Sequence, residues 1–210
     1  MPRQTGLISV VVATAVLAAG AGGYLYMQTR GQSDLLSDCT GGKIAGGAIG
    51  GPFTLIDGDG RTVTDKQVIT KPSLIYFGYT FCPDVCPLDN ARNADATDLL
   101  ARRGFDVTPI FISIDPKRDT PEVVKQYAEN FSPRMIGLTG TPAEVKVASK
   151  AYRTYYRIQD PTKKFYMIDH STYTYLVLPK RGFVEFFKRG DTAEEVADRT
   201  ACVLKAAGTN

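Results

Sequence analysis

Cys82 and Cys86 stand four residues apart in Phe81-Cys82-Pro83-Asp84-Val85-Cys86-Pro87, and the chain has a single histidine, His170. Thiols at i and i+4 share one face of a helical turn. At a helix start the unpaired N–H groups favour the thiolate. The thiolate is both the metal ligand and the nucleophile of disulfide exchange. One turn of separation is also within disulfide reach. The pair is therefore suited to hold a soft metal when reduced and to close when oxidised. A permanent structural disulfide is the plain alternative, but so short a loop would constrain the unfolded chain little. Two thiolates form an incomplete site for copper, and imidazole is a common third ligand that only His170 can supply. It lies in Ile168-Asp169-His170-Ser171, between two predicted strands. Alone, such a histidine reads more simply as a side chain satisfying its hydrogen bonds near the core. Beside a dithiol it becomes a candidate ligand for Cu(I) or Cu(II), with Asp169 a candidate to orient the ring or a plain loop residue. One histidine excludes an H-E-x-x-H zinc protease and a C2H2 finger.

The elements that must position these side chains are legible in the pattern. Phe53–Ile56 and Thr62–Thr64 flank Asp57-Gly58-Asp59-Gly60, a hairpin signal. An EF-hand reading of that turn fails, because Val68 stands where the bidentate Glu belongs. Ser73–Tyr79 is an apolar run expected as a buried strand, followed by a helix over about Asp84 to Arg103 that Gly104 stops. Val107–Asp115 is the next strand. Thr120-Pro121 opens a helix through Glu129, and Met135–Leu138 is a short strand. Thr141-Pro142-Ala143-Glu144 is a capping box for a helix to about Tyr152. Phe165–Ile168, Tyr173–Leu178 and Phe183–Lys188 are predicted strands, and Asp191-Thr192-Ala193-Glu194 caps a last helix to about Ala207. This order predicts an α/β sandwich with a mixed sheet, a thioredoxin-like fold carrying an extra N-terminal β-hairpin and an insertion. Asp115-Pro116-Lys117-Arg118-Asp119 follows a strand on the edge that bears the cysteine turn. It reads as a docking surface or a charge near the thiolates, or as a solvated loop ending in a helix cap.

Gln4 to Thr29 carries no charge, and Leu7 to Tyr26 is long enough to cross a bilayer as one helix. Residues 1–30 are expected as a membrane anchor, 31–43 as a Gly-containing tether and 44–210 as the folded domain. Arg3 and Arg30 flank the apolar run, so charge orients it weakly, and Asp34 and Asp38 beyond it favour an exported domain. Ala19-Gly20-Ala21 also fits a signal-peptide cleavage site, which would export the domain equally. A bacterial inner-membrane protein facing the periplasm is the simplest fit. The net charge of +3 is too slight to predict a nucleic-acid partner. In an oxidising compartment an exposed thiol rarely stays free. On a helical wheel Cys202 falls on the polar face, opposite the stripe of Val196, Thr200, Val203 and Leu204, so a Cys39–Cys202 disulfide is expected. Two unpaired cysteines are the alternative.

GGPFTLID (50–57), YFGYTFCPDVCP (76–87), SIDPKRDTP (113–121) and the DHS around His170 resemble the Sco/SenC copper chaperones. The similarity spans about residues 44–207. It implies a thioredoxin-like fold that binds copper through Cys82, Cys86 and His170. It also implies a copper donor, and delivery to the copper-receiving subunit of cytochrome c oxidase at its binuclear copper centre. Reduction of that centre's cysteines is the other function it implies, with Cys82 and Cys86 as the redox-active, catalytic pair. A thiol–disulfide enzyme more usually carries C-x-x-C, one residue shorter. A peroxidase is a weaker third reading, and a structural zinc site would want four closed ligands.

Overall fold

The computed structural model describes Cys39, Thr40 and residues 49–208. The expected anchor over 1–30 and nearly all of the 31–43 tether lie outside the described residues. Among the described residues no helix is long and apolar enough to cross a membrane.

In chain order the elements are β1 (Thr54–Asp57), β2 (Thr62–Thr64), α1 (Asp65–Val68), β3 (Ser73–Gly78), α2 (Val85–Arg102), β4 (Thr108–Ser113) and α3 (Pro121–Glu129). There follow β5 (Ile136–Thr139), α4 (Pro142–Ala151), β6 (Tyr156–Ile158), β7 (Ile168–His170), β8 (Thr174–Leu178), β9 (Gly182–Phe187) and α5 (Ala193–Ala206). β3 is buried along its whole length, as expected of a continuous apolar run covered on both faces. It sits at the centre of a mixed sheet of order β2-β1-β5-β4-β3-β8-β9. β3, β4 and β5 run parallel, joined through α2 and α3, while β8 pairs antiparallel with β3. This is the expected thioredoxin-like arrangement. The N-terminal hairpin adds β1 antiparallel to the edge of β5. Its turn is held by Asp57, whose carboxylate accepts the Asp59 and Arg61 N–H groups.

The cap chemistry follows the sequence with one shift. Thr120 Oγ1 accepts from Val123 N, and Thr141 and Glu144 form the expected capping box. At α5 the reciprocal pair is Thr192 with Glu195, one residue later than expected. Asp191 instead accepts the Lys188 N–H and pairs with Arg199.

The larger correction concerns the predicted strand Phe165–Ile168. The strand begins at Ile168, and Phe165 is 76% exposed. β7 pairs not with the main sheet but with β6, in the register Tyr156↔His170 and Ile158↔Ile168. β6 has only three residues and no apolar run, so its sequence carries no strand signal. Its partner's register was therefore invisible, and His170 lies at the end of a strand rather than in a loop.

The expected Cys39–Cys202 disulfide is formed, with Cα atoms 5.5 Å apart across a sequence separation of 163. Cys202 occupies an exposed position of α5 while Val196 and Thr200 are buried, as the helical wheel requires.

Candidate metal centre

β3 ends at Gly78, and Tyr79-Thr80-Phe81 lead the chain towards α2. Both cysteines were expected on the helical turn, but only Cys86 lies inside α2; Cys82 precedes it. The Asp84 side chain at the N-cap makes no capping hydrogen bond. The Cys82 sulfur takes that role, accepting the Cys86 N–H at 3.4 Å. One of the helix's orphan donors is thereby satisfied by the sulfur itself. The Cys86 sulfur is fully buried, and the chain makes room for it with a residue that has no side chain. A Cβ on Gly78 would lie 2.9 Å from Cys86 Sγ and 2.8 Å from Tyr76 Cε1.

Two buried acids anchor the turn from the next loop. Asp119 accepts from Thr80 N at 3.0 Å, from Thr80 Oγ1 at 2.6 Å and from Ser113 Oγ at 2.6 Å. Asp115 accepts from the Tyr166 hydroxyl at 2.7 Å and pairs with Arg118. The Arg118 guanidinium lies 3.7 Å from the centre of the Tyr166 ring and 4.8 Å from that of Phe81, and it donates to the Tyr166 carbonyl. Within the DPKRD segment Lys117 is exposed, and Thr120 after it caps the next helix, as a solvated loop would have it, but Asp115 and Asp119 are buried. The segment is a clamp that fastens the cysteine turn to the segment carrying His170.

His170 completes the group. Its Nε2 lies 3.3 Å from Cys86 Sγ, and the ligand atoms of Cys82, Cys86 and His170 all fall within 4.8 Å of one another. Nδ1 lies 2.9 Å from the Ser171 carbonyl oxygen. A carbonyl only accepts, so Nδ1 carries a proton, and Nε2 is the nitrogen that faces the sulfurs. Asp169 does not orient the ring. Its carboxylate is taken by Arg157 at 3.0 Å and Gln159 at 2.7 Å, across the β6–β7 pair. Edge-on packing against Tyr79 and Tyr76 fixes the ring plane.

The two thiols, both free, are not equivalent. The Cys86 thiol hydrogen-bonds to Cys82, and with help from His170 and the backbone N–H groups of Cys86 and Asp84 it holds Cys82 far down, at about 3, against the opposing effect of burial. The same bond, together with burial, pushes Cys86 up. The reduced pair is a thiolate at the rim and a thiol behind it. Farther in, the Tyr76 hydroxyl donates to Asp89 at 3.0 Å. Burial raises the Asp89 carboxyl, and Arg92 opposes that rise. Sequence reasoning gave no role to Gly78, Tyr76 or Ser171, and singled out Asp119 only within the DPKRD segment. Only Gly78 left a signal, since a glycine inside a strand marks a close approach.

A family model described as SCO1/SenC matches residues 42–205. The chain belongs to the SCO1/SenC family. It is 55% identical over 179 residues to the protein SenC of Rhodobacter capsulatus, covering 85% of this chain and 81% of that one. Among solved structures it resembles Arabidopsis thaliana ScoI with copper bound, at 41% identity and a TM-score of 0.72, covering 75% of this chain and 99% of that one. Yeast Sco1 with copper bound superimposes with a TM-score of 0.70 at 37% identity, over 76% of this chain and 90% of that one. In this SCO1/SenC chain the donor set is chemically suited to a soft ion, with two sulfurs and one imidazole nitrogen.

Proposed function

We propose that this chain is a copper chaperone that holds the ion through Cys82, Cys86 and His170 and passes it to the binuclear copper centre of cytochrome c oxidase. The observation that carries this reading is the convergence of two sulfurs and a free imidazole nitrogen within 4.8 Å, from a helix start and a strand far apart in sequence. Copper is cargo here, so the site has to bind it tightly and still release it. Cys82 offers a thiolate without prior loss of a proton, and Cys86 gives up its proton on loading. Three donors leave the shell open for a ligand from the receiving subunit, so the ion can change hands by ligand exchange. A copper donor upstream, an anchor over residues 1–30 in a bacterial inner membrane and a periplasmic domain from about residue 44 belong to the same proposal.

Titrating the reduced protein with Cu(I) tests it. About one equivalent is expected, and His170→Ala should weaken binding by about 10- to 100-fold. Equal binding by the wild type and a Cys82→Ser variant would overturn the reading.

A second reading rests on the inequality of the thiols. A low Cys82 backed by a protonated Cys86 suits disulfide reduction in the receiving centre. The Cys82 thiolate would attack one partner sulfur and expel the other as a thiolate. Cys86 would then lose its proton to water and attack Cys82, releasing the second partner thiolate. The pair ends oxidised by two electrons and the partner reduced by two. If His170→Ala binds copper like the wild type while both reduce a partner disulfide equally, this second reading holds instead.

A further inference from the structure

The centre is deep. Cys86 is fully buried, Cys82 is 8% exposed and His170 is half-buried. An ion arriving from a carrier therefore meets little exposed sulfur, all of it on Cys82. One soft donor stands in the open beside them. Met167 is 42% exposed and immediately precedes β7. Its position is fixed by backbone, because its carbonyl accepts the Gln159 N–H at 3.0 Å and so extends the β6–β7 pairing. Its sulfur lies 3.9 Å from the Tyr79 hydroxyl. That same hydroxyl accepts the Ile168 N–H, while the Tyr79 ring packs edge-on against His170 and its carbonyl accepts the Cys82 N–H at 3.2 Å. Met167, Cys82 and His170 thus have Tyr79 as a common neighbour. A thioether is soft, neutral and already free of protons, and a methionine side chain swings readily about three rotatable bonds.

We propose that Met167 is a fourth, exchangeable donor of this centre, which holds Cu(I) as it enters and leaves. The proposal rests on the copper-chaperone reading above. On entry a bond from Met167 Sδ to the ion forms as a carrier–copper bond breaks. Cys82 then replaces the thioether, followed by Cys86, whose proton leaves to solvent, and by His170. Copper stays Cu(I) throughout and no electron moves. Exit runs in reverse, with Met167 keeping a hold on the ion while a partner's ligand comes in.

The test uses the full-length protein in detergent micelles, with Cys82 and Cys86 reduced, and Cu(I) supplied as its acetonitrile complex. Met167→Leu keeps volume and apolarity and removes only the sulfur. Loading, and withdrawal by the chelator bicinchoninate, are followed by stopped flow. Both rates should fall about tenfold, equivalent to about 1.4 kcal/mol on each barrier, with the equilibrium affinity within about threefold of wild type. In protein labelled with 13C at the methionine methyl groups, the Met167 signal should shift or broaden below one equivalent of Cu(I). The signal of Met135, which is buried, should stay in place and report an intact fold. A wild type that binds one equivalent, with Leu-variant rates within twofold of it and an unmoved Met167 methyl, overturns this inference alone. A wild type that takes up no Cu(I) overturns the chaperone reading and this inference with it.

Discussion

Cys82 and Cys86 share one proton, and the sign of each shift sets the pH behaviour. Cys82 is lowered, so its contribution to stability is complete above the ordinary thiol value and fades as pH falls towards about 3. Cys86 is raised, so its contribution is complete below the ordinary thiol value and fades as pH rises above it. Together they make the reduced fold most stable near the ordinary thiol value, about 8.5. Alkylation by iodoacetamide provides the direct check. Modification of Cys82 should be nearly flat between about pH 5 and 8, where an ordinary thiol gains about tenfold per unit. Cys86 should be protected by burial. Gly78 carries the second prediction at this scale. Gly78→Ala should lower the urea midpoint by the equivalent of about 1–3 kcal/mol through overpacking and should weaken Cu(I) binding by displacing Cys86 Sγ. The cysteines and His170 were legible in the sequence because their types are rare and their chemistry specific. Asp169 stayed open between orienting the ring and a plain loop residue, because only the β6–β7 register shows that Arg157 and Gln159 take its carboxylate.

The cysteine turn, the DPKRD loop and the β6–β7 hairpin act as one assembly held at Asp119 and Arg118. Asp119→Ala would strand the Thr80 N–H and two hydroxyls, an expected loss of about 3 kcal/mol in chemical denaturation. Arg118→Met keeps the apolar contact with Tyr166 but removes the ion pair to Asp115 and the bond to the Tyr166 carbonyl. It should loosen the hairpin and weaken Cu(I) binding more than it lowers overall stability, as amide hydrogen exchange at Ile168 and His170 would register. The strand–turn–helix unit was readable from its apolar run and its breakers. The hairpin was not, because three-residue strands leave too few residues for a period to emerge. The charge run of the DPKRD loop left several readings open, because only the fold shows that Asp115 and Asp119 are buried with their partners.

The architecture at large followed from element order, and the Cys39–Cys202 pairing from the side of α5 on which Cys202 falls. The disulfide constrains a long stretch of unfolded chain. Cys39→Ser should therefore cost up to about 5 kcal/mol in the chain-entropy model, measured as a lower denaturation midpoint with the fold otherwise retained. The same bond makes everything between Cys39 and Cys202 a covalent ring. A protease that nicks this ring once, at an exposed site such as Lys163-Lys164, opens it without freeing either piece. The clipped molecule would migrate at full size on a non-reducing gel and fall into two fragments only after thiol treatment.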